Sequence, residues 1–311
     1  MNFKVREILS KLQRYDDLKK TFESQGSFSP KSNVAHRLRA TFDYLDRVFP
    51  DKSPALRNRS ILQSLATLAA RLIDTGKSAG CEGKVYEFFT KFMKELSHQV
   101  ELGQNATDQD YIQFQKSISA NVKSGARIRH EILLRKMLSF DPVFFEVFGP
   151  SAVAESGLSK HIRELGESIA ALVHQINVEY SAKQGHDLIK PTNKTIVALG
   201  RIGKMISDYS GYQTLIDDLY FTFHEGVGPR LDDHKPQSFA DVNDLRNDLQ
   251  HDLDHGGEGK ASAKRMRVGT IFRRYAGSNT PTTLAPERFP VVQANLLAAI
   301  EADMKQLLST L

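Results

Sequence analysis

Apolar residues recur three and four positions apart through nearly the whole of this chain, and no stretch alternates with period two. That periodicity is the strongest constraint on its fold, because it suits helices with one buried stripe and gives no sheet a face to bury. Residues 33–49 carry Val34, Leu38, Phe42, Leu45 and Phe49 close to one helical line, and an Ala/Leu-rich stretch follows from Ser60 to Ile73. Lys84 to Leu102 places Val85, Phe88, Phe89, Phe92, Leu96 and Val100 on one face. Leu158 to Tyr180 repeats the pattern, and Thr195 to Phe223 continues it with an expected break at Ser210-Gly211. The expectation is an all-α, multi-helix protein.

Its 311 residues are enough for two domains. Asp141-Pro142 and Gly149-Pro150 punctuate the chain, which places the boundary near residue 150 and gives domains 1–150 and 151–311. No apolar run approaches the roughly 20 residues of a membrane span, so no membrane association is expected. The first residues are charged throughout, without the apolar core of a secretory leader. A single cysteine, Cys81, rules out an internal disulfide framework and suits a reducing compartment, so a cytoplasmic protein is expected. The net charge of +5 permits nucleic-acid binding without demanding it.

The most specific signal lies in the helical run from Phe239 to His255. Ser238 and Asp241 have the spacing of a helix cap, and Val242, Leu245, Leu249 and Leu253 form the inward stripe. Gly256-Gly257-Glu258-Gly259 closes the helix. Arg246 sits on the edge of the stripe, while Asn247, His251 and His255 follow a second line four residues apart. Arg246 and His251 are then about 140° apart around one helix. Two copies of the helix facing each other would bring the arginine of one chain near the histidine of the other. Asp248 and Asp252 would favour a protonated His251. The plainer reading makes Asp241, Asp244, Asp248, Asp252 and Asp254 a solvated helix face.

The run from Leu245 to Gly256, LRNDLQHDLDHG, resembles the signature of the HEPN superfamily. That signature is an arginine, a polar residue after it, and a histidine four to six positions beyond, on a helix of an all-α domain. Arg246, Asn247 and His251 fit it, and the resemblance covers residues 155–311. It implies a homodimeric, metal-independent endoribonuclease with no cofactor, whose site forms at the dimer interface. It further implies a prokaryotic defence or toxin role, restrained by an antitoxin or partner defence protein. His251 would exchange protons with the ribose 2′-hydroxyl or the leaving 5′-oxygen, Arg246 would stabilise phosphorane charge, and Asn247 would orient the site. The bare chemistry agrees, since a histidine titrates near neutrality and an arginine presents a fork of donors to phosphate. A non-catalytic helical interaction module is the alternative.

His251-Asp252-Leu253-Asp254-His255 also has the two-histidine spacing of a helix-borne metal site, with His224, Glu225 and His234 as loose candidates for a third ligand. The shorter reach of Asp252 and the glycines after His255 weigh against it, and no metal is expected. Beyond the glycines, Lys260, Lys264, Arg265, Arg267, Arg273 and Arg274 make a cationic strip suited to an RNA backbone. In the N-terminal half Lys123, Arg127 and His130 share a face, with Arg129, Arg135 and Lys136 nearby. They read as an exposed helix, or else as a second surface for nucleic acid or a partner.

Overall fold

In the computed structural model the described residues are Glu23, 29–51, 53–119, 123–250 and 258–311. Among them there are α-helices and short 3-10 and π turns but no strand, so the protein is all-α. None of these helices is long and apolar enough to cross a membrane. The chain divides into two compact units, Met1–Ser156 and Gly157–Leu311.

The first unit is built from α1 (Asn33–Val48), α2 (Arg59–Asp74), α3 (Glu82–Leu102), α4 (Gln109–Ser119), α5 (Lys123–Phe140), α6 (Pro142–Phe148) and α7 (Ser151–Glu155). Side-chain caps fix three starts: Ser32 accepts from the Ala35 amide at 3.2 Å, Asn58 from Ser60 at 2.9 Å, and Asp141 from Val143 at 3.0 Å. The α3 stripe of Val85, Phe88, Phe89, Phe92 and Leu96 is buried, as its spacing predicts, but Val100 is exposed. Phe92 meets Phe114 edge-on at 4.9 Å, and Phe88 packs against Phe140 and Phe144. Gly125 lies inside α5.

Cations penetrate this aromatic core. Arg135 pairs with Asp110 through two bonds, at 2.9 and 2.5 Å, and donates to the Ser156 carbonyl at 2.7 Å. Lys136 reaches Asp108 at 2.5 Å, and Arg129 is fully buried against the Ser64 hydroxyl and the Ser117 carbonyl. Arg129, Arg135 and Lys136 are therefore interior struts, not the exposed surface their local charge suggested. Arg127 does stay exposed, paired with Glu131, and the Lys123 side chain falls outside the described part. Arg71 bonds Glu155 and Ser151, tying α7 to α2, so the unit extends through Ser156.

The second unit contains α8 (Leu158–Gln184), α9 (Asn193–Leu199), α10 (Tyr209–Tyr220), α11 (Gln237–Gln250), α12 (Glu258–Ala276) and α13 (Phe289–Thr310). The long helices α8 and α13 pack on each other. The segment after α9 crosses α8 so closely that a Cβ on Gly166 would stand 2.5 Å from the Gly203 Cα, which restricts position 166 to glycine. Buried Gln293 holds that segment by donating to the Ile202 and Lys204 carbonyls and accepting from the Ile206 amide. The helical break expected at Ser210-Gly211 falls earlier, at 200–208. Asp208 caps α10 by accepting from the Gly211 amide at 2.8 Å, so that glycine belongs to a first helical turn.

Candidate functional site

Helix α11 carries Arg246 and Asn247 of the motif. Of the expected stripe Val242 and Leu245 are buried, Leu249 is half-buried and Leu253 lies outside the described residues, while Phe239 is buried as well. Ser238 does not cap it. Its hydroxyl has no hydrogen-bond partner, and its amide donates instead to Asp303 at 2.8 Å. Asp241 is fully buried and accepts from Gln237 at 2.8 Å, from the Tyr275 hydroxyl at 2.7 Å and from Arg274. It is a hub joining α11 to α12, not part of a solvated acidic face. Asp244 likewise faces α12, where Arg267 holds it at 2.5 Å. Asp252 and Asp254 lie outside the described residues.

Arg246 projects from α11 towards the end of α10. Its guanidinium carbon stands 4.6 Å from the centroid of the Tyr220 ring, a cation–π contact. Its Nε is 3.8 Å from the nearer Asp217 oxygen, an ion-pair distance too long for a hydrogen bond. That Nε is buried without a hydrogen-bond partner, although the side chain as a whole is 26% exposed. Arg246 thus rests on an aromatic face with its donors uncommitted among the described residues. Asn247 donates to Asn243, one turn back, at 3.4 Å, which keeps its amide on the helix surface. His251 and His255 lie outside the described residues.

A different histidine shares the Tyr220 ring. Helix α10 widens after Tyr220 into a π turn, Phe221–Glu225, closed by the Gly226 amide donating to the Phe221 carbonyl at 2.9 Å. A Cβ on Gly226 would lie 2.4 Å from the Thr222 carbonyl oxygen, so the turn needs glycine there. Within the turn, Phe223 anchors inward against Phe239 at 4.7 Å, while His224 stacks on Tyr220 with centroids 4.9 Å apart and planes 19° from parallel. The chain then folds back through a 3-10 segment, Gly228–His234. Arg230 fixes this reversal by donating to the carbonyls of Leu188, Gly226 and Val227.

The reversal delivers Lys235 to His224, with Nζ 3.1 Å from Nδ1. An ammonium can only donate, so a protonated Lys235 requires a lone pair on Nδ1 and leaves the imidazole proton on Nε2. Burial, then the Lys235 charge, and less strongly that of Arg246, push the His224 pKa below its usual value, against the pull of Glu225. Burial also lowers the Lys235 pKa. Tyr220, His224 and Lys235 were not read as a group from sequence, where the positions fall on a helix end and a polar loop. The Tyr220–His224 spacing of four was the available signal, and the Lys235 contact had none.

The cationic strip is less open than its composition implied. Arg267 is paired with Asp244, Arg274 with buried Asp241, and Arg273 donates to Asn279 at 2.6 Å. The side chains of Lys260, Lys264 and Arg265 lie outside the described part. Among the described residues no three metal-ligating side chains cluster, and His224 commits Nδ1 to a cation. No protein-family model, curated protein or solved structure matches the chain.

Proposed function

We propose that the second unit is an RNA-cleaving module of the HEPN type, acting without a metal ion and as a homodimer inside the cell. The reading is carried by Arg246, a half-buried arginine on an aromatic face whose donors have no hydrogen-bond partner among the described residues. A guanidinium in that state is a ready ligand for phosphate oxygens, which it can bind through two parallel bonds. Asn247 follows it directly, and His251 completes the run in sequence.

In the reaction the ribose 2′-oxygen attacks phosphorus and the bond to the 5′-oxygen breaks. The proton leaving the 2′-hydroxyl is balanced by one delivered to the 5′-oxygen. His251 serves one or both transfers, Arg246 neutralises charge on the phosphorane, and Asn247 orients the site. The products are a 2′,3′-cyclic phosphate and a 5′-hydroxyl. A five-residue spacing on one helix would set Arg246 and His251 about 140° apart, so the second copy is part of the proposal. A defence or toxin role with an antitoxin or partner defence protein restraining the dimer follows from the same resemblance.

The test is expression of the wild type beside Arg246→Ala and His251→Ala, reading RNA integrity, product termini and cell growth. Cleavage that either change abolishes while the protein stays folded, and that persists in a chelator, supports the reading. Equal RNA integrity with all three proteins refutes it. A non-catalytic interaction module is the second reading, favoured by the partners already held by Arg267, Arg273 and Arg274. It requires that same equality.

A further inference from the structure

Three nitrogen-bearing side chains from three successive elements are linked in a chain of contacts: Arg246 and His224 each touch the Tyr220 ring, and Lys235 touches His224. Arg246 comes from α11, His224 from the π turn and Lys235 from the end of the 3-10 reversal, with Tyr220 between Arg246 and His224 as a shared aromatic contact. We propose that His224, Lys235 and Arg246 form, within one chain, a pocket for a single RNA backbone phosphate, in which His224 donates from Nε2 to a non-bridging oxygen. The identity of the ligand as RNA rests on the ribonuclease reading; the pocket itself rests on the geometry.

The donors are available. Lys235 has no carboxylate within ion-pair distance among the described side chains, and its one hydrogen bond goes to an imidazole that cannot balance its charge. Among the described residues the carboxylate nearest Arg246 in an ion pair is Asp217, at 3.8 Å. All three side chains are intermediate in exposure, so a ligand reaches them without opening the core, and partial burial strengthens any ion pair formed there.

The π turn and the Arg230 clasp hold the pocket before any ligand arrives. Elsewhere in the same unit Arg201 and Arg274 donate to carboxylates, Arg230 and Arg288 to backbone carbonyls and Arg273 to Asn279, whereas Arg246 makes no hydrogen bond to a described residue.

The charges facing His224 give the site a pH signature. Lys235 and Arg246 hold its proton off, Glu225 beside it favours the charged form, and Asp217 stands against Arg246. A bound phosphate adds negative charge next to the ring, which raises the imidazole proton affinity. Binding therefore favours a second proton, on Nδ1, which turns Lys235 away from the ring towards the phosphate, and it tightens as the pH falls through the imidazole range. His224 is here a binding group of the pocket, and proton transfer in the reaction stays with His251.

The experiment follows the His224 imidazole by NMR in the full chain, assigned by its loss in His224→Gln. The chain is titrated with inorganic phosphate and then with a 2′-O-methyl oligoribonucleotide that cannot be cleaved. Expected are ligand-dependent shifts at His224, a raised His224 pKa in the complex, and affinity reduced about tenfold in Lys235→Met. The slope of log affinity against log salt should also shrink by about 0.7 in that variant. A ring that merely fills space moves neither the pKa nor the slope.

Lys235→Gln gives the same reading should Lys235→Met fail to fold, as judged by circular dichroism. An unmoved His224 resonance at saturating oligonucleotide, or affinity and slope unchanged by removing Lys235, overturns the pocket. So does a phosphoserine peptide that shifts His224 where the oligonucleotide does not, since that assigns the site to another macromolecule. The two proposals fail separately. RNA cleavage with a silent His224 removes the pocket and leaves the ribonuclease, whereas phosphate binding without cleavage does the reverse.

Discussion

The two units bury cations in opposite ways. In the first, Arg71, Arg129, Arg135 and Lys136 end on carboxylates, hydroxyls or carbonyls, and Arg135 alone makes two bonds to Asp110 and one to the Ser156 carbonyl. In the second, Arg246 lies on Tyr220 with no hydrogen bond to a described residue, and Lys235 has only a histidine. A buried cation whose donors are filled is committed to the fold, since removing any partner strands a charge. A half-buried cation with open donors is not committed. It costs stability to keep, so its natural explanation is a ligand.

The comparison breaks most visibly at Asp110. Asp110→Ala strands Arg135 beside a second cation, Lys136, and should cost about 3–5 kcal/mol. Urea unfolding followed by circular dichroism measures it, and a loss below about 1 kcal/mol would show the first unit's network to be dispensable. Asp241→Ala should cost less, about 2–3 kcal/mol, because Arg274 is half-exposed and can turn to water while Tyr275 and Gln237 lose their acceptor.

Arg246→Met sharpens the contrast. Stability should change by no more than about 1 kcal/mol, because the methionine keeps contact with Tyr220, while RNA cleavage falls by about a hundredfold or more. A stability loss matching that of Asp110→Ala would move Arg246 into the class of structural struts.

The smallest effect is the pH response of His224. Its folded pKa lies below its unfolded value, so on acidification the unfolded chain takes up the proton first. The stability it contributes is whole above about pH 6.5, the unfolded value. It drains away as the pH falls towards the folded pKa. Melting temperatures measured across that interval should decline less steeply in His224→Gln than in the wild type.

Much of this fold was legible in advance, because helical periodicity reports burial directly. The α3 stripe up to Leu96 and the Val242–Leu245 pair could be read from spacing alone, whereas Val100 is exposed and Leu249 only half-buried. In α1 the helix was legible and its inward face only in part: Leu45 and Phe49 are buried as their spacing suggested. Thr41, Tyr44 and Val48 are buried while Phe42 is exposed, since several apolar residues compete for the stripe and tertiary packing selects among them. The charged residues misled most. Arg129 and Asp241 read as solvent-facing because charge usually is, and only long-range partners reveal otherwise. At the site, Arg246 and Asn247 were found through a local run. Lys235 meets His224 only because a π turn and an arginine clasp fold the chain back, and no local pattern encodes that meeting.

The π turn carries one residue more than an α-helical turn would, so α10 runs out of phase with its own continuation. Phase is what a one-residue deletion resets. Shortening 221–223 by a single position would let the helix run on regularly and rotate everything after it by about 100°. Helical content would scarcely change, yet the imidazole would swing off Tyr220 and the lysine would lose its mate. Insertions and deletions here act as a dial on the site.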